Sequence, residues 1–142
     1  MTLKQNLELK IVDKSDLEFL YELLKNRNPD ANISHKKMPS YDEHTKFVLS
    51  NPYTTWYVIL VDGKKTGSIY LSKQDEIGIF LLSENIGKGI GGKSLEMLMK
   101  KNPRNRYLAN VNPKNKKSIK FFENNNFKLI QYTYELMTTN SK

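Results

Sequence analysis

Polar and apolar positions alternate near the start of the chain, where Leu7 to Val12 reads Leu-Glu-Leu-Lys-Ile-Val and predicts a strand. The period then lengthens. Leu17, Leu20, Tyr21 and Leu24 mark one face of a helix, with Ser15 and Glu18 spaced as a capping box and Asn28-Pro29 beyond its end near Arg27. Residues 28–39 are polar, hold a proline near each end and predict a loop. Ser40 and Glu43 form a second capping-box pair, ahead of a helix bearing His44, Phe47 and Val48 that stops at Asn51-Pro52.

The middle of the chain returns to strand patterning. Thr54 to Val61 is rich in β-branched and aromatic residues, Asp62-Gly63 signals a hairpin, and Thr66 to Leu71 is the returning strand. Gln74-Asp75 turns the chain again, so Glu76 to Leu82 predicts a third antiparallel strand. From Gly89 to about Lys101, Ile90, Ser94, Leu95, Leu98 and Met99 recur at helical spacing, and Pro103 closes that helix. Tyr107 to Val111 predicts a short strand, Asn115 to about Asn125 a helix, and Phe127 to Met137 a final strand. The order β-α-α-β-β-β-α-β-α-β is that of a mixed α/β domain, and the helix from Gly89 supplies the crossover that a parallel strand pair needs.

Composition narrows the class. The 142 residues suit a single domain, 1–142, large enough for one buried core. No apolar run approaches the ~20 residues that span a bilayer, and the N-terminus lacks the apolar core of a secretion signal. A cytoplasmic location without membrane association is therefore expected. The absence of cysteine excludes disulfides, thiolate metal sites and a cysteine nucleophile. His35 and His44 are the only histidines, which makes a poor case for a metal, and none is expected.

The net charge of +8 is unevenly spread. Between Lys88 and Lys120, Glu96 is the only acidic residue among many lysines and arginines. Most of these residues read as a solvated lysine-rich surface, but the cluster also suits a polyanion. It surrounds the most distinctive segment, residues 76–92, where an apolar strand runs into the glycine turn Gly87-Lys88-Gly89-Ile90-Gly91-Gly92 and then into a helix. Such a turn exposes backbone N–H groups at a helix N-terminus and suits a phosphate or pyrophosphate. A nucleic-acid binding module is the rival from another class. It does not need the glycine turn, and no RRM-type aromatic signature is present, so nucleic acid is disfavoured as a partner.

This order, with two motifs, resembles the GNAT N-acetyltransferase superfamily over nearly the whole chain. Gly87 to Gly92 is similar to the acyl-CoA pyrophosphate loop, Arg/Gln-x-x-Gly-x-Gly/Ala, with Gly89 and Gly91 on the two small positions and Ile86 where Arg or Gln is usual. Asn115 to Phe127 is similar to Asn-x-x-Ala/Ser-x-x-x-Tyr-x-x-x-Gly-Phe, with Asn126 in place of Gly and Phe122 in place of Tyr. The resemblance implies an acyl-CoA N-acyltransferase fold, with a mixed central sheet flanked by helices, and acetyl-CoA as cofactor. It implies that Ile79, Phe80 and Leu81 line the pantetheine arm, beside Gly87, Lys88, Gly89, Ile90, Gly91 and Gly92 on the diphosphate.

Further expectations follow from it. The Leu81 N–H is the best oxyanion donor. Asn115 either contacts the pantetheine or serves as a helix N-cap. Phe122 lies by the cofactor but has no proton for the departing thiolate; water, Tyr132 or Tyr134 is left to supply it, unless the chain is a non-catalytic acyl-CoA binder. Glu76, at the start of the splayed strand, is the candidate base for the acceptor amine. Arg27, His35 and Tyr70 are candidate acceptor contacts, with Met38, Tyr53 and Trp56 on the same side. The N-terminal helices loosely resemble members that acetylate nucleotide-linked amino sugars. A small-molecule primary amine is the expected acceptor, and a protein or peptide amine is the alternative. A homodimer is compatible with these readings.

Overall fold

The computed structural model describes residues 6–27 and 38–139. Strand β1 (Leu7–Ile11) leads through a 3-10 turn at Lys14–Asp16 into α1 (Leu17–Lys25). Helix α2 (Tyr41–Leu49) follows, then β2 (Thr55–Val61), β3 (Lys64–Leu71) and β4 (Ile77–Leu81). Helices α3 (Ile90–Lys101) and α4 (Lys116–Asn124) complete the regular elements. The four strands form an antiparallel sheet in the order β1-β2-β3-β4. The expected loop at 28–39, with His35, lies mostly outside the described residues.

The sheet follows from alternation. Tyr57, Ile59 and Val61 of β2, Ile69 and Leu71 of β3 and Ile77 of β4 are buried in one cluster with Ile90, Leu95 and Leu98 of α3. Helix α3 packs against β1 and β3, while α1 packs against α2 and β3, so helices lie beside the sheet. The β2–β3 hairpin turns where Asp62 (φ 51°) and Gly63 (φ 80°) take the left-handed conformation that such a turn requires. The end of α3 is tied down by Asn102, whose Nδ2 donates to the Leu98 carbonyl (3.0 Å) and to Tyr57 Oη (3.1 Å). Tyr107 Oη in turn donates to the Asn102 carbonyl (2.7 Å).

Three expectations are corrected. The first cap lies two residues earlier than Ser15 and Glu18. Asp13 accepts from Ser15 N (2.8 Å) and Asp16 Oδ2 accepts from Asp13 N (2.9 Å). The reason is that Asp16 is buried between two cations, with Lys10 Nζ 2.6 Å and Lys65 Nζ 2.8 Å away, and that ion pairing fixes the register. The second capping box forms as expected, with Glu43 N to Ser40 Oγ at 3.1 Å and Ser40 N to Glu43 Oε1 at 2.8 Å.

Residues 107–111 are not a strand. They make one parallel bridge, Glu76 to Leu108, just ahead of β4. That bridge is parallel, so α3 does serve as the crossover. Phe127 to Met137 is not a strand either. It runs without ladder pairing, and Tyr132, Tyr134 and Leu136 are exposed. Its alternation is that of a half-buried strand, but a strand exists only where a partner edge is engaged.

Candidate active site

A cleft opens where β4 parts from the segment that follows α3. Ile77 N donates to the Leu108 carbonyl (2.7 Å) and Leu108 N donates to the Asp75 carbonyl (2.9 Å). Beyond this pair no backbone hydrogen bond joins β4 to residues 109–111. The gap is lined by Tyr70, Glu76 to Phe80, Asn110 to Asn112, Asn115, Ser118 and Phe122.

The β3–β4 register decides which amides face this gap. Leu82 N bonds the Thr66 carbonyl and Ser72 N bonds the Glu76 carbonyl, so the even-numbered residues of β4 turn toward β3. In an antiparallel ladder the intervening residues turn the other way. The N–H and C=O groups of Ile79 and Leu81 therefore turn away from β3, with no backbone partner among the described residues, and Ile79 lines the cleft. Their side chains do something else. Ile79 points toward Gly91 and Phe121, and Leu81 packs against the core cluster.

Beyond β4, Gly87 (φ 84°) and Gly89 (φ 80°) take left-handed conformations, and a Cβ at either would meet nothing within 4 Å. Gly89 is the N-cap of α3 and brings no side-chain cap, so the first amides of that helix are left for an outside acceptor. Lys88 and Lys93 line a recess with Gly89 and Ile90. This backbone cradle, open and flanked by cations, fits a diphosphate. Gly91 has a different reason for being small: its Cβ would come within 3.0 Å of the Phe121 ring, so it lets α4 approach α3. Gly92 has no such neighbour, since a Cβ would find only Asn125 Oδ1 at 3.8 Å.

On the opposite wall, Asn115 Oδ1 accepts from Ser118 N (3.1 Å) as the N-cap of α4, and the residue also lines the cleft. Phe122 is buried, packs edge-on against Phe121 and Phe127, and lines the cleft. Asn126 takes φ 70°, the conformation for which glycine is usual at a helix end.

Glu76 sits at the mouth. Its Oε2 accepts from Asn110 Nδ2 (2.8 Å) across the gap, and its backbone N donates to Ser72 Oγ (3.0 Å). Beside it, Tyr70 stacks on Tyr53 with ring centroids 3.8 Å apart and planes 4° from parallel. Burial pushes the hydroxyls of both upward. Tyr53 in turn meets Trp56 and Phe47 edge-on, and Trp56 Nε1 donates to Ser68 Oγ (2.6 Å). Arg27, just past α1, lies 4.4 Å above the Phe80 ring, and desolvation pulls its guanidinium downward from the ordinary value. Glu76, Tyr70, Phe80 and Arg27 are thus brought to one side of β4. Tyr132 and Tyr134 are not brought to the cleft: they are exposed on the C-terminal arm.

Asn110 and Gly78 have no place in the motifs. No periodicity marks Asn110, and nothing in the sequence pattern singles out Gly78. Only the closeness of Tyr70 explains it.

The model of the acetyltransferase (GNAT) family matches residues 17–127. The chain belongs to that family. GNAT acetyltransferases use acetyl-CoA, and this chain is an acetyl-CoA-dependent N-acetyltransferase of that group. No curated protein matches the sequence closely. Solved structures show the fold. A domain from Methanocaldococcus jannaschii DSM 2661 superposes with a TM-score of 0.77 at 23% identity, covering 93% of this chain and 94% of that one. A ribosomal-protein alpha-N-acetyltransferase in complex with coenzyme A gives 0.73 at 23% identity, covering 92% and 84%. An N-acetyltransferase from Staphylococcus aureus Mu50 gives 0.71 at 22% identity, covering 87% and 84%. Within the GNAT chain no described helix is long and apolar enough to cross a membrane.

Proposed function

We propose that this GNAT enzyme acetylates the primary amine of a small molecule, with a nucleotide-linked amino sugar as the leading class. The observation that carries the reading is the set of groups converging at the parting of β4. These are the outward amides of Ile79 and Leu81, the Glu76 carboxylate, and an aromatic wall ending in Tyr70.

Acetyl-CoA, when bound, supplies an acyl group activated as a thioester. Gly87, Lys88, Gly89, Ile90 and Gly92 would hold its diphosphate through main-chain amides, and Lys88 and Lys93, which line a recess with Gly89 and Ile90, would add charge attraction. Ile79 and Leu81 would present the β4 backbone to the pantetheine arm, and Phe80, whose backbone pairs with β3, would line the same site. The Leu81 N–H, turned away from β3, would serve as the donor to charge developing on the thioester carbonyl. Asn115 and Phe122 form the far wall.

Glu76 accepts the proton of the acceptor ammonium, directly or through one water, and Asn110 orients the carboxylate. Phe122 has no proton to give. Tyr70, its hydroxyl kept protonated by burial, stands in the same cleft as a donor toward the acceptor side. Arg27 and the Tyr53–Tyr70 stack suit an acceptor with an anionic group and a ring. His35, outside the described residues, is kept as a candidate acceptor contact.

The test has two stages. Thermal-shift titration with acetyl-CoA and CoA reads cofactor binding. Thiol release is then measured across amino sugars, nucleotide-linked amino sugars, polyamines and peptides. Turnover confined to peptides overturns the acceptor class. Binding without thiol release from any amine favours a non-catalytic acyl-CoA binder. For the base, Glu76→Gln is expected to lower kcat at neutral pH roughly 100-fold, with CoA binding retained.

A further inference from the structure

Tyr70 starts on β3 and ends in the cleft beyond β4. Its neighbours Ile69 and Leu71 are buried in the core with α3, so the Tyr70 side chain leaves the opposite face of the sheet. There it leans across β4 at Gly78, its register partner, where Tyr70 Cζ, Cε2 and Oη occupy the place of a Cβ. A side chain at position 78 would hold the ring back from the gap. The parallel ring of Tyr53, 3.8 Å away, fixes its plane. Tyr70 thereby lines the same cleft as Glu76 and as Phe122 of α4. Phe122 stands where tyrosine is usual and has no proton to give, and Tyr132 and Tyr134 are exposed on the C-terminal arm. Tyr70 and Ser118 carry the hydroxyls that line the cleft. A phenol, with its ordinary value of 10.0, is a far stronger acid than the alkyl hydroxyl of serine.

We propose that Tyr70 is the acid that protonates the departing thiolate, a role moved from α4 to β3 by the pairing of Tyr70 with Gly78. The assignment rests on the reading of Glu76 as the base. A proton that Glu76 takes from an ammonium acceptor passes first to solvent. The neutral amine nitrogen then bonds to the thioester carbonyl carbon and gives a proton to the Glu76 carboxylate. As the C–S bond breaks, its electron pair stays on sulfur, and Tyr70 gives its hydroxyl proton there. The phenolate regains a proton from the Glu76 carboxyl, so both residues end as they began. Burial, with a contribution from the Glu76 charge, keeps the phenol protonated until charge develops on sulfur. A thiol titrates near ~8.5, below a phenol, so the return of the proton from Glu76 draws the transfer forward.

Tyr70→Phe removes the hydroxyl and keeps the ring that stacks on Tyr53. The probes are acetyl-CoA and whichever of the amines named above the wild type turns over fastest. The variant is expected to lose roughly 100-fold in kcat, with the thermal shift by CoA unchanged. In single-turnover thiol release the wild type is expected to show a solvent deuterium isotope effect that the variant loses. Tyr70→Phe combined with Phe122→Tyr returns a phenol to the cleft from α4 and is expected to regain about tenfold in kcat over Tyr70→Phe alone. Wild-type kcat in Tyr70→Phe overturns the proposal, as does a lowered kcat with the isotope effect intact, or no regain in a double variant that keeps its CoA thermal shift. Each of these leaves the reading of the cleft standing. No thiol release by the wild type from any of the amines overturns that reading, and the proposal with it. A crystal of the CoA complex gives a readout apart from turnover. Its sulfur is expected within hydrogen-bond reach of Tyr70 Oη, and a sulfur that only Ser118 or water can reach overturns the proposal.

Discussion

The ring of Tyr70 lies across Gly78 on the adjacent strand, so its Cζ, Cε2 and Oη atoms fill the space where a side chain at position 78 would begin. The two residues are register partners in the β3–β4 ladder. A glycine in a strand often marks close approach of another group, and here that group is the Tyr70 ring.

Gly78→Ala should therefore act on the site through Tyr70. The ring must move, and the Tyr53–Tyr70 stack moves with it. A displacement of this kind is expected to lower kcat/KM roughly 10- to 100-fold, with CoA binding little changed because the diphosphate cradle is remote. Steady-state kinetics with a CoA thermal shift alongside will show it. Unchanged kcat/KM would mean that Tyr70 does not shape the acceptor side.

Gly89 separates backbone strain from ligand binding. At φ 80° with open space around it, alanine fits sterically but costs about 1 kcal/mol of strain. Gly89→Glu adds a carboxylate at the uncapped start of α3. That variant is expected to fold with a similar penalty and to lose the thermal shift with acetyl-CoA. Wild-type affinity in isothermal titration would place the diphosphate elsewhere.

Asp16 anchors the first turn to β1 and β3. Burial opposes its charge, but hydrogen bonds from Lys10 and Lys65 outweigh this and hold its carboxyl below the usual value of 3.8. The folded state thus keeps the charge longer than the unfolded chain as pH falls. Its stabilisation is fully present above the ordinary value and is lost as the pH drops through the folded one. Asp16→Asn is expected to cost about 2–3 kcal/mol at neutral pH, below the usual range for a broken buried pair because both lysines are a third exposed and can rehydrate. Urea unfolding at pH 7 and at pH 3 gives the difference, which should shrink at the lower pH.

His44 adds a dependence at higher pH. Desolvation holds its imidazole below the ordinary 6.5, and its ring meets Tyr21 edge-on. Below 6.5 the unfolded chain takes up a proton that the folded chain refuses, so stability falls as the pH drops from there toward the lowered value. The slope reaches at most about 1.4 kcal/mol per pH unit. His44→Leu should flatten the stability profile between pH 6.5 and 5; a mutant with the wild-type slope would locate the titration elsewhere.

Local chemistry carried much of the fold. The hairpin at Asp62-Gly63, the cap at Ser40 and the strand-to-glycine-turn-to-helix run at 76–92 depend on neighbours within a few residues, so their signatures survive in one dimension. The same holds for Gly87 and Gly89, whose left-handed φ values only glycine adopts cheaply. The first cap was misplaced because Asp16 is chosen by Lys65, which is distant along the chain.

By itself the sequence determined the order of elements, the anion-ready turn and the family motifs, because periodicity and backbone preference are local properties. Tertiary structure alone decided where β4 parts from its parallel neighbour, and hence that the Ile79 and Leu81 amides turn away from β3 without a partner, beside a cleft where Glu76 and Asn110 meet. It also decided that 107–111 and 127–137, both strand-like in pattern, stay outside the ladder. Alternation says which face of a segment is apolar, but only an edge held in place by the rest of the chain says what that segment pairs with.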